Sequence, residues 1–165
     1  MPSAEEPQWL DADENATWLA LTAMVLTLPG ALEAQLQADS GMSFYEYMVL
    51  AMLSHEPDGT LRMRELAALT NGSLSRLSQV AARLERRGWL TRRPDPTDGR
   101  TTLASLTEEG RSALRTAAPG HVRNVRRLVF DPLTETQVRQ LRTISDRIHD
   151  AVEPSGRDPF HRHPR

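Results

Sequence analysis

The chain has 165 residues, 39 % of them apolar, and a net charge of −2, which suits one folding unit with a real core. It has no cysteine, which excludes disulfides, cysteine-ligated metal sites and thiol-based sensing by this chain. Residues 1–60 hold ten acids and no Lys or Arg, whereas residues 61–100 hold nine Arg against four acids, so the middle segment predicts a polyanion-facing module, with a solvated basic face as the alternative.

The amino-terminal segment predicts a long amphipathic helix from Asn15 to about Asp39, because apolar residues recur there at intervals of three or four. They are Trp18, Leu21, Val25, Leu28, Leu32 and Leu36. Pro29 and Gly30 interrupt this pattern, which predicts one bent helix or, alternatively, two shorter ones. The acidic start does not resemble a secretory signal, and the apolar stretch 18–29 is short and broken by threonines. We therefore expect a cytoplasmic protein with no membrane segment.

The next segments predict a buried helix followed by two short helices. Ser43 is a good N-cap for a helix over 44–53 that is apolar nearly all round. A turn at 55–59 and a short strand at 60–62 precede a helix over about 63–70, which ends at Asn71-Gly72.

Ser73 then caps a helix whose apolar residues are spaced for one buried face. This inner stripe consists of Leu74, Leu77, Ala81 and Leu84. The opposite face presents Ser75, Arg76, Gln79, Ala82, Arg83 and Arg86 to solvent.

The segment after Gly88 predicts a β-hairpin. Residues 89–93 and 101–106 have strand character, and the turn-forming residues 94–100 between them predict a projecting tip. Thr107 caps a further helix that runs to about Phe130, either as one continuous helix or with a break at Pro119-Gly120.

A capping box of Thr134 and Gln137 begins the last helix, to about Val152, and residues 154–165 are expected to be a disordered tail. His161 and His163 in that tail lack the further ligands of a metal site. The sequence also contains no phosphate-binding glycine loop, nucleophile elbow or zinc-protease motif, so we expect no metal and no cofactor.

Two short helices, a tight turn and a basic hairpin in this order predict a winged helix-turn-helix over residues 43–107, with recognition helix 73–87 and wing 89–106. The fold class expected is mainly α with a small β-hairpin wing. Ser73 and Ser75 are small enough for close approach to base edges, and Arg76 and Gln79 are long enough for forked contacts in the major groove. The cations expected to meet phosphates or the minor groove are Arg92, Arg93 and Arg100.

The order and spacing of these motifs resemble the MarR family of transcription regulators, from about Trp18 to Val152. The resemblance is carried by the Ser-Leu-Ser-Arg-Leu-Ser helix start, the Arg-Leu-Glu-Arg-Arg-Gly helix end, and Asp98-Gly99-Arg100 leading to Leu106-Thr107-x-x-Gly110. It implies that Asp98 positions an arginine, Arg100, that enters the minor groove. The remaining positions predicted to contact DNA are Ser75, Arg76, Ser78, Gln79 and the outer-face cation Arg83.

The resemblance also implies that helices over 13–40 and 108–152 interlock with those of a second subunit. The apolar stripes of these helices agree, because a winged helix of about 65 residues is too small to cover them. An intramolecular helical bundle is the alternative.

Relatives of this kind bind small aromatic or phenolic effectors between the dimer helices and the DNA-binding lobe. The residues expected near that junction are Trp18, Tyr45, Tyr47, Met48 and His55. Core packing is the alternative for each of them.

The resulting hypothesis is a homodimeric, ligand-responsive regulator, most simply a repressor, that binds a pseudo-palindromic site on double-stranded DNA. A winged helix that binds only other proteins is the alternative. An enzyme that uses the winged helix for dimerisation is excluded, because the chain leaves no room for a catalytic domain.

Overall fold

The computed structural model describes residues 8–152, as six α-helices and one three-stranded antiparallel sheet. The elements are α1 (Ala12–Ser40), α2 (Phe44–His55), β1 (Thr60–Arg62), α3 (Met63–Leu69), α4 (Leu74–Arg86), β2 (Leu90–Asp95), β3 (Asp98–Leu106), α5 (Glu108–Val125) and α6 (Glu135–Val152). A π-helical turn, Arg126–Phe130, continues α5. The expected fold class is confirmed, and the expected tail lies outside the described residues.

Helix α1 is continuous through Pro29, so the interpretation as one helix is confirmed over that as two. It begins at a capping box of Asp11 and Glu14 and ends at Gly41, whose φ of 60° is a left-handed conformation that glycine adopts without steric cost. Of its apolar stripe only Leu32 and Leu36 are buried within the subunit.

The amino-terminal part of α1 leaves large apolar side chains in solvent. They include Trp18, Leu19, Met24, Val25 and Leu26. The helix has 29 residues and is, by length and composition, long and apolar enough to cross a membrane. The expectation that this segment is too short to do so, which considered only residues 18–29, was therefore wrong. Within residues 8–152, nothing covers this face.

The core is built around α2, as its apolar composition predicts. Its buried residues pack with Leu36 of α1, Leu66 of α3, Leu77 and Leu84 of α4, and Leu90 of β2. Ser43 caps α2, and its partner in the capping box is Glu46, so both orphan N–H groups are satisfied.

The buried stripe of α4 consists of Leu77, Val80, Ala81 and Leu84. The expectation that Leu74 packs inward was wrong, since its side chain is 43 % exposed. Leu74 is the first residue of the helix and lies at the mouth of a groove beside the wing rather than over the core.

The sheet has the order β1-β3-β2, which confirms the short strand and the hairpin. The projecting tip is shorter than expected, because β2 continues to Asp95 and β3 begins at Asp98. Asp95 closes the turn, because its Oδ1 accepts hydrogen bonds from the backbone N–H of Thr97 (2.9 Å) and from the Thr97 hydroxyl (2.7 Å).

Helix α5 passes through Pro119 and Gly120 as one continuous helix, so of the two alternatives the unbroken helix is confirmed. Packing of α5 against α1 outweighs the tendency of Pro119 and Gly120 to break a helix. Gly120 allows the two helices to lie close together, since a Cβ at this position would lie 2.9 Å from the Asp39 carboxylate. The capping box of Thr134 and Gln137 is formed at the start of α6 as expected.

The start of α5 is joined to the segment between α4 and β2. The Thr107 hydroxyl donates to the carbonyl of Gly88 (2.6 Å), and the Thr107 N–H donates to the carbonyl of Trp89 (3.2 Å). Gly110 lies directly against the Trp89 carbonyl, where a Cβ would overlap it. This junction connects α5 to the segment that joins α4 to the hairpin.

Candidate nucleic-acid interface

The turn between α3 and α4 is set by local conformation and by Tyr45 of α2. Asn71 adopts a left-handed conformation (φ 48°), which asparagine tolerates better than most residues. Gly72 follows, and a Cβ there would overlap the Tyr45 hydroxyl. Because Thr70 Oγ1 donates to the carbonyl of Leu66 (2.8 Å), the 3.0 Å hydrogen bond that it shares with Tyr45 has the tyrosine as donor.

The outer face of α4 carries the predicted base-reading residues. Ser75, Arg76 and Gln79 are exposed and Ser78 is half-buried. The Ser73 hydroxyl accepts from the N–H of Arg76 (3.1 Å), so Ser73 acts as the helix cap. The Arg76 guanidinium lies over the Tyr45 ring, 4.1 Å from its centroid.

Arg83 is engaged within the subunit. Its Nε lies 3.2 Å from Oε1 of Glu46, an almost fully buried carboxylate. The pair compensates that buried charge and fastens α4 to α2. Part of the Arg83 charge is therefore balanced before any DNA contact.

Arg92 joins the wing to the recognition helix. Its guanidinium donates to Oε2 of Glu85 from Nε (2.9 Å) and Nη2 (2.6 Å), and its backbone N–H donates to Oε1 (2.9 Å). Hydrogen bonding and charge from Arg92 hold the pKa of Glu85 below its ordinary value. The Arg92 guanidinium, predicted to contact DNA, is thus already bound to Glu85, and a phosphate would have to compete with that carboxylate for it.

Asp98 positions Arg100 through the backbone rather than through the guanidinium. Its Oδ1 accepts from the N–H of Arg100 (3.1 Å) and its Oδ2 from the hydroxyl of Thr101 (2.8 Å). The expectation of a carboxylate that orients the guanidinium is therefore corrected, and the Arg100 side chain is exposed.

Five arginines of α3, α4 and the β2–β3 hairpin have no carboxylate partner among residues 8–152. They are Arg64, Arg76, Arg86, Arg93 and Arg100. A groove of about 190 Å³ separates α3 and α4 from the wing, and Arg64, Leu74, Ser78 and Arg100 line it. The result is a positively charged, concave surface.

Sequence reasoning missed two features of this surface. Arg64 was counted only toward the positive charge of residues 61–100. It follows β1 by two residues, and because β1 pairs with β3 of the hairpin, this position indicated that Arg64 lies beside the wing. Asp95 was read as a turn residue, whereas it also pairs with Arg62 (3.2 Å). Hydrogen bonds from Thr97, with Arg62 as a further cause, lower the pKa of Asp95.

The predicted effector residues are not brought together in the described subunit. Tyr45 contacts α4, whereas Tyr47 packs on His121 of α5, with ring centroids 4.4 Å apart. Met48 is half-buried against the core, and His55 is exposed at the far end of α2. Trp18 lies on the exposed part of α1.

His121 of α5 is a half-buried titratable residue that sequence reasoning treated as an ordinary polar position. Its ring also packs on Phe44 (5.9 Å), and burial lowers the pKa of the imidazole. Burial likewise raises the pKa of the Tyr47 hydroxyl.

Comparison with known proteins places this arrangement among DNA-binding regulators. A family model described as the MarR family matches residues 40–101. Sco3205 of Streptomyces coelicolor, a MarR family transcriptional regulator solved in complex with DNA, is 42 % identical, with 92 % of this chain and 94 % of that one covered and a TM-score of 0.87.

Two further proteins are similar at lower identity. The transcriptional repressor MprA of Escherichia coli K12 is 27 % identical over 68 % of this chain and 63 % of its own length, so the match spans less than two thirds of that relative. CouR of Rhodococcus jostii RHA1, solved with p-coumaroyl-CoA bound, is 25 % identical, with 90 % of this chain and 95 % of that one covered and a TM-score of 0.69.

Proposed function

The chain belongs to the MarR family of transcriptional regulators, and from this membership we propose that it is a cytoplasmic, homodimeric repressor that binds double-stranded DNA and responds to a ligand. The observation that carries the proposal is the groove between α3, α4 and the wing, which Arg64, Arg92 and Arg100 line and in which, among residues 8–152, only Arg92 is held by a carboxylate. Such cations favour a polyanion, and the order of elements matches that of the DNA-bound relative.

In this proposal α4 enters the major groove. Arg76 and Gln79 contact base edges, and Ser75 and Ser78 contact bases or phosphates beside them. Arg93 and Arg100 on the wing contact phosphates and the minor groove. Arg83 and Arg92 act mainly by fixing α4 and the wing, because Glu46 and Glu85 hold them.

The exposed apolar faces support a homodimer. In addition to the residues of α1, Ile144 and Ile148 of α6 are exposed. The alternative of an intramolecular bundle would require these side chains to be covered by the subunit itself, and within residues 8–152 they are not. A second copy of the chain that packs against α1 and α6 would bury these side chains. Insertion of α1 in a membrane is the competing explanation, and cell fractionation tests it.

A small aromatic or phenolic ligand is the effector that we propose. CouR is solved with p-coumaroyl-CoA bound, a thioester whose acyl group is phenolic. Trp18 lies on the exposed part of α1, so a cleft that includes it needs a partner subunit. Release of DNA then follows from a ligand-dependent change in the spacing of the two recognition helices. We propose no metal, cofactor or enzymatic role.

The proposal is tested by selecting duplexes from a random pool with the purified protein. We expect a pseudo-palindrome with half-sites about one helical turn apart. Fluorescence anisotropy then compares the selected duplex with a scrambled one at several salt concentrations. Absence of binding to any duplex at low salt would leave the protein-interaction module as the better explanation.

A further inference from the structure

Tyr45 connects three parts of the helix-turn-helix. Its hydroxyl donates to Thr70 at the end of α3, and its oxygen lies against Gly72 in the turn. Its ring supports the Arg76 guanidinium on α4 at 4.1 Å. No carboxylate competes for Arg76 in the described part of the chain.

A stacked guanidinium is restrained without using its hydrogen-bond donors. The ring attracts the cation over its face, and the N–H groups at the edge of the guanidinium plane stay free. An arginine that is restrained before binding loses less conformational entropy when it forms a bidentate contact. The restraint therefore favours contacts with a fixed geometry, which are those with base edges.

We propose that Tyr45 is a positioning residue for sequence-specific DNA recognition, which holds Arg76 in the orientation that reads a base. This inference rests on the proposed function and deepens it. It assigns Tyr45 to the DNA-binding face, where the sequence had placed it in an effector cleft. The ring acts through Arg76, and the hydroxyl fixes the ring through Thr70.

The first experiment is a double-mutant cycle on the duplex that the parent protein selects. Tyr45→Leu removes the ring, and we expect it to weaken binding to that duplex about two- to fivefold, the value of one exposed cation–π contact. Binding to scrambled duplex should change less. In the Arg76→Ala background Tyr45→Leu should cost nothing further, and Tyr45→Phe should retain most of the parent affinity.

The control is Phe44→Leu, which removes a ring from the same helix but on the side that faces His121. We expect this variant to keep the ratio of selected to scrambled binding. An equal loss from Tyr45→Leu with and without Arg76 would overturn the proposal, since the ring would then act independently.

The second experiment needs no DNA. The NMR resonance of the Arg76 Nε–Hε group should be shifted by the ring current of Tyr45 in the parent and in Tyr45→Phe, and should return to its ordinary position in Tyr45→Leu. An unshifted resonance in the parent sinks the proposal even if DNA binds. A protein with the shifted resonance that selects no duplex instead contradicts the proposed function.

Discussion

The chain contains arginine but no lysine, and the arginines differ in what surrounds them. Arg83 and Arg92 are held by carboxylates of the same lobe, whereas Arg93 and Arg100 point to solvent on the wing. A count of positive charge therefore overestimates the number of phosphate contacts. Only the arginines without a carboxylate partner should contribute fully to the salt dependence of binding.

Replacing Arg100 with Ala should weaken binding to selected and scrambled duplex alike. A guanidinium in the minor groove responds mainly to groove width and potential, so we expect the slope of log affinity against log salt to flatten by about one. Arg115→Ala is the matched control, since Arg115 pairs with Glu108 on α5, away from this face. A salt titration in which Arg100→Ala behaves like Arg115→Ala would show that the wing does not touch DNA.

Gly72 should tolerate no side chain, because a Cβ there meets the Tyr45 hydroxyl. We expect Gly72→Ala to lower the free energy of unfolding by about 1–3 kcal/mol, as for other overpacked sites. Urea denaturation at one fixed protein concentration measures this. Gly99→Ala is the control, since nothing lies within 4 Å of a Cβ there. Adding Tyr45→Phe should recover part of the loss, and a double variant as unstable as Gly72→Ala would contradict this cause.

At the scale of the elements, the sequence predicts what local pattern determines. The helix caps at Ser43, Ser73 and Thr134 and the tight turn at Asn71 are all formed. The expected burial of Leu74 was wrong and the continuity of α5 through Pro119 was left open, because distant packing decides both. The partners of the arginines could not be predicted either, since Glu46 lies 37 positions before Arg83.

The pair of Arg92 and Glu85 should make the attachment of the wing sensitive to acid. The folded-state pKa of Glu85 is lowered, so its stabilising contribution is present above the ordinary glutamate pKa and is lost as pH falls through the lowered value. The pair is partly exposed, and we expect at most about 1 kcal/mol. Unfolding free energies of the parent and Glu85→Gln, measured from neutral to acidic pH, should converge at the acid end. If the difference in unfolding free energy between the two proteins stayed constant across this pH range, the pair of Arg92 and Glu85 would not be the source of the acid sensitivity.

For the whole molecule, the apolar surface of α1 dominates the expected behaviour. Val25 and Leu26 are 58 % and 75 % exposed in the single subunit. Surfaces of this kind are rarely left in water and mark an interface. Helix α1 contains no Lys or Arg, so no cation interrupts its apolar surface.

Light scattering should therefore give about twice the 18.5 kDa mass of the chain. Leu26→Glu should dissociate the dimer or reduce its yield, because the charge would be buried between subunits. Ala68→Glu adds the same charge on exposed α3 and should leave the mass unchanged. A monodisperse parent monomer at micromolar concentration would contradict the dimer, and recovery of the parent in the membrane fraction would favour insertion of α1.

The junction at Thr107 and Gly110 makes the DNA-binding lobe a lever arm. The hydrogen bonds from Thr107 to Gly88 and Trp89 leave little freedom between α5 and the elements that face DNA. In the proposed dimer, we therefore expect a rotation of α5 against the partner subunit to move α4 and the wing together. The tolerance of the proposed dimer for operators whose halves lie closer or further apart would then depend on how far α5 turns rather than on bending within the lobe.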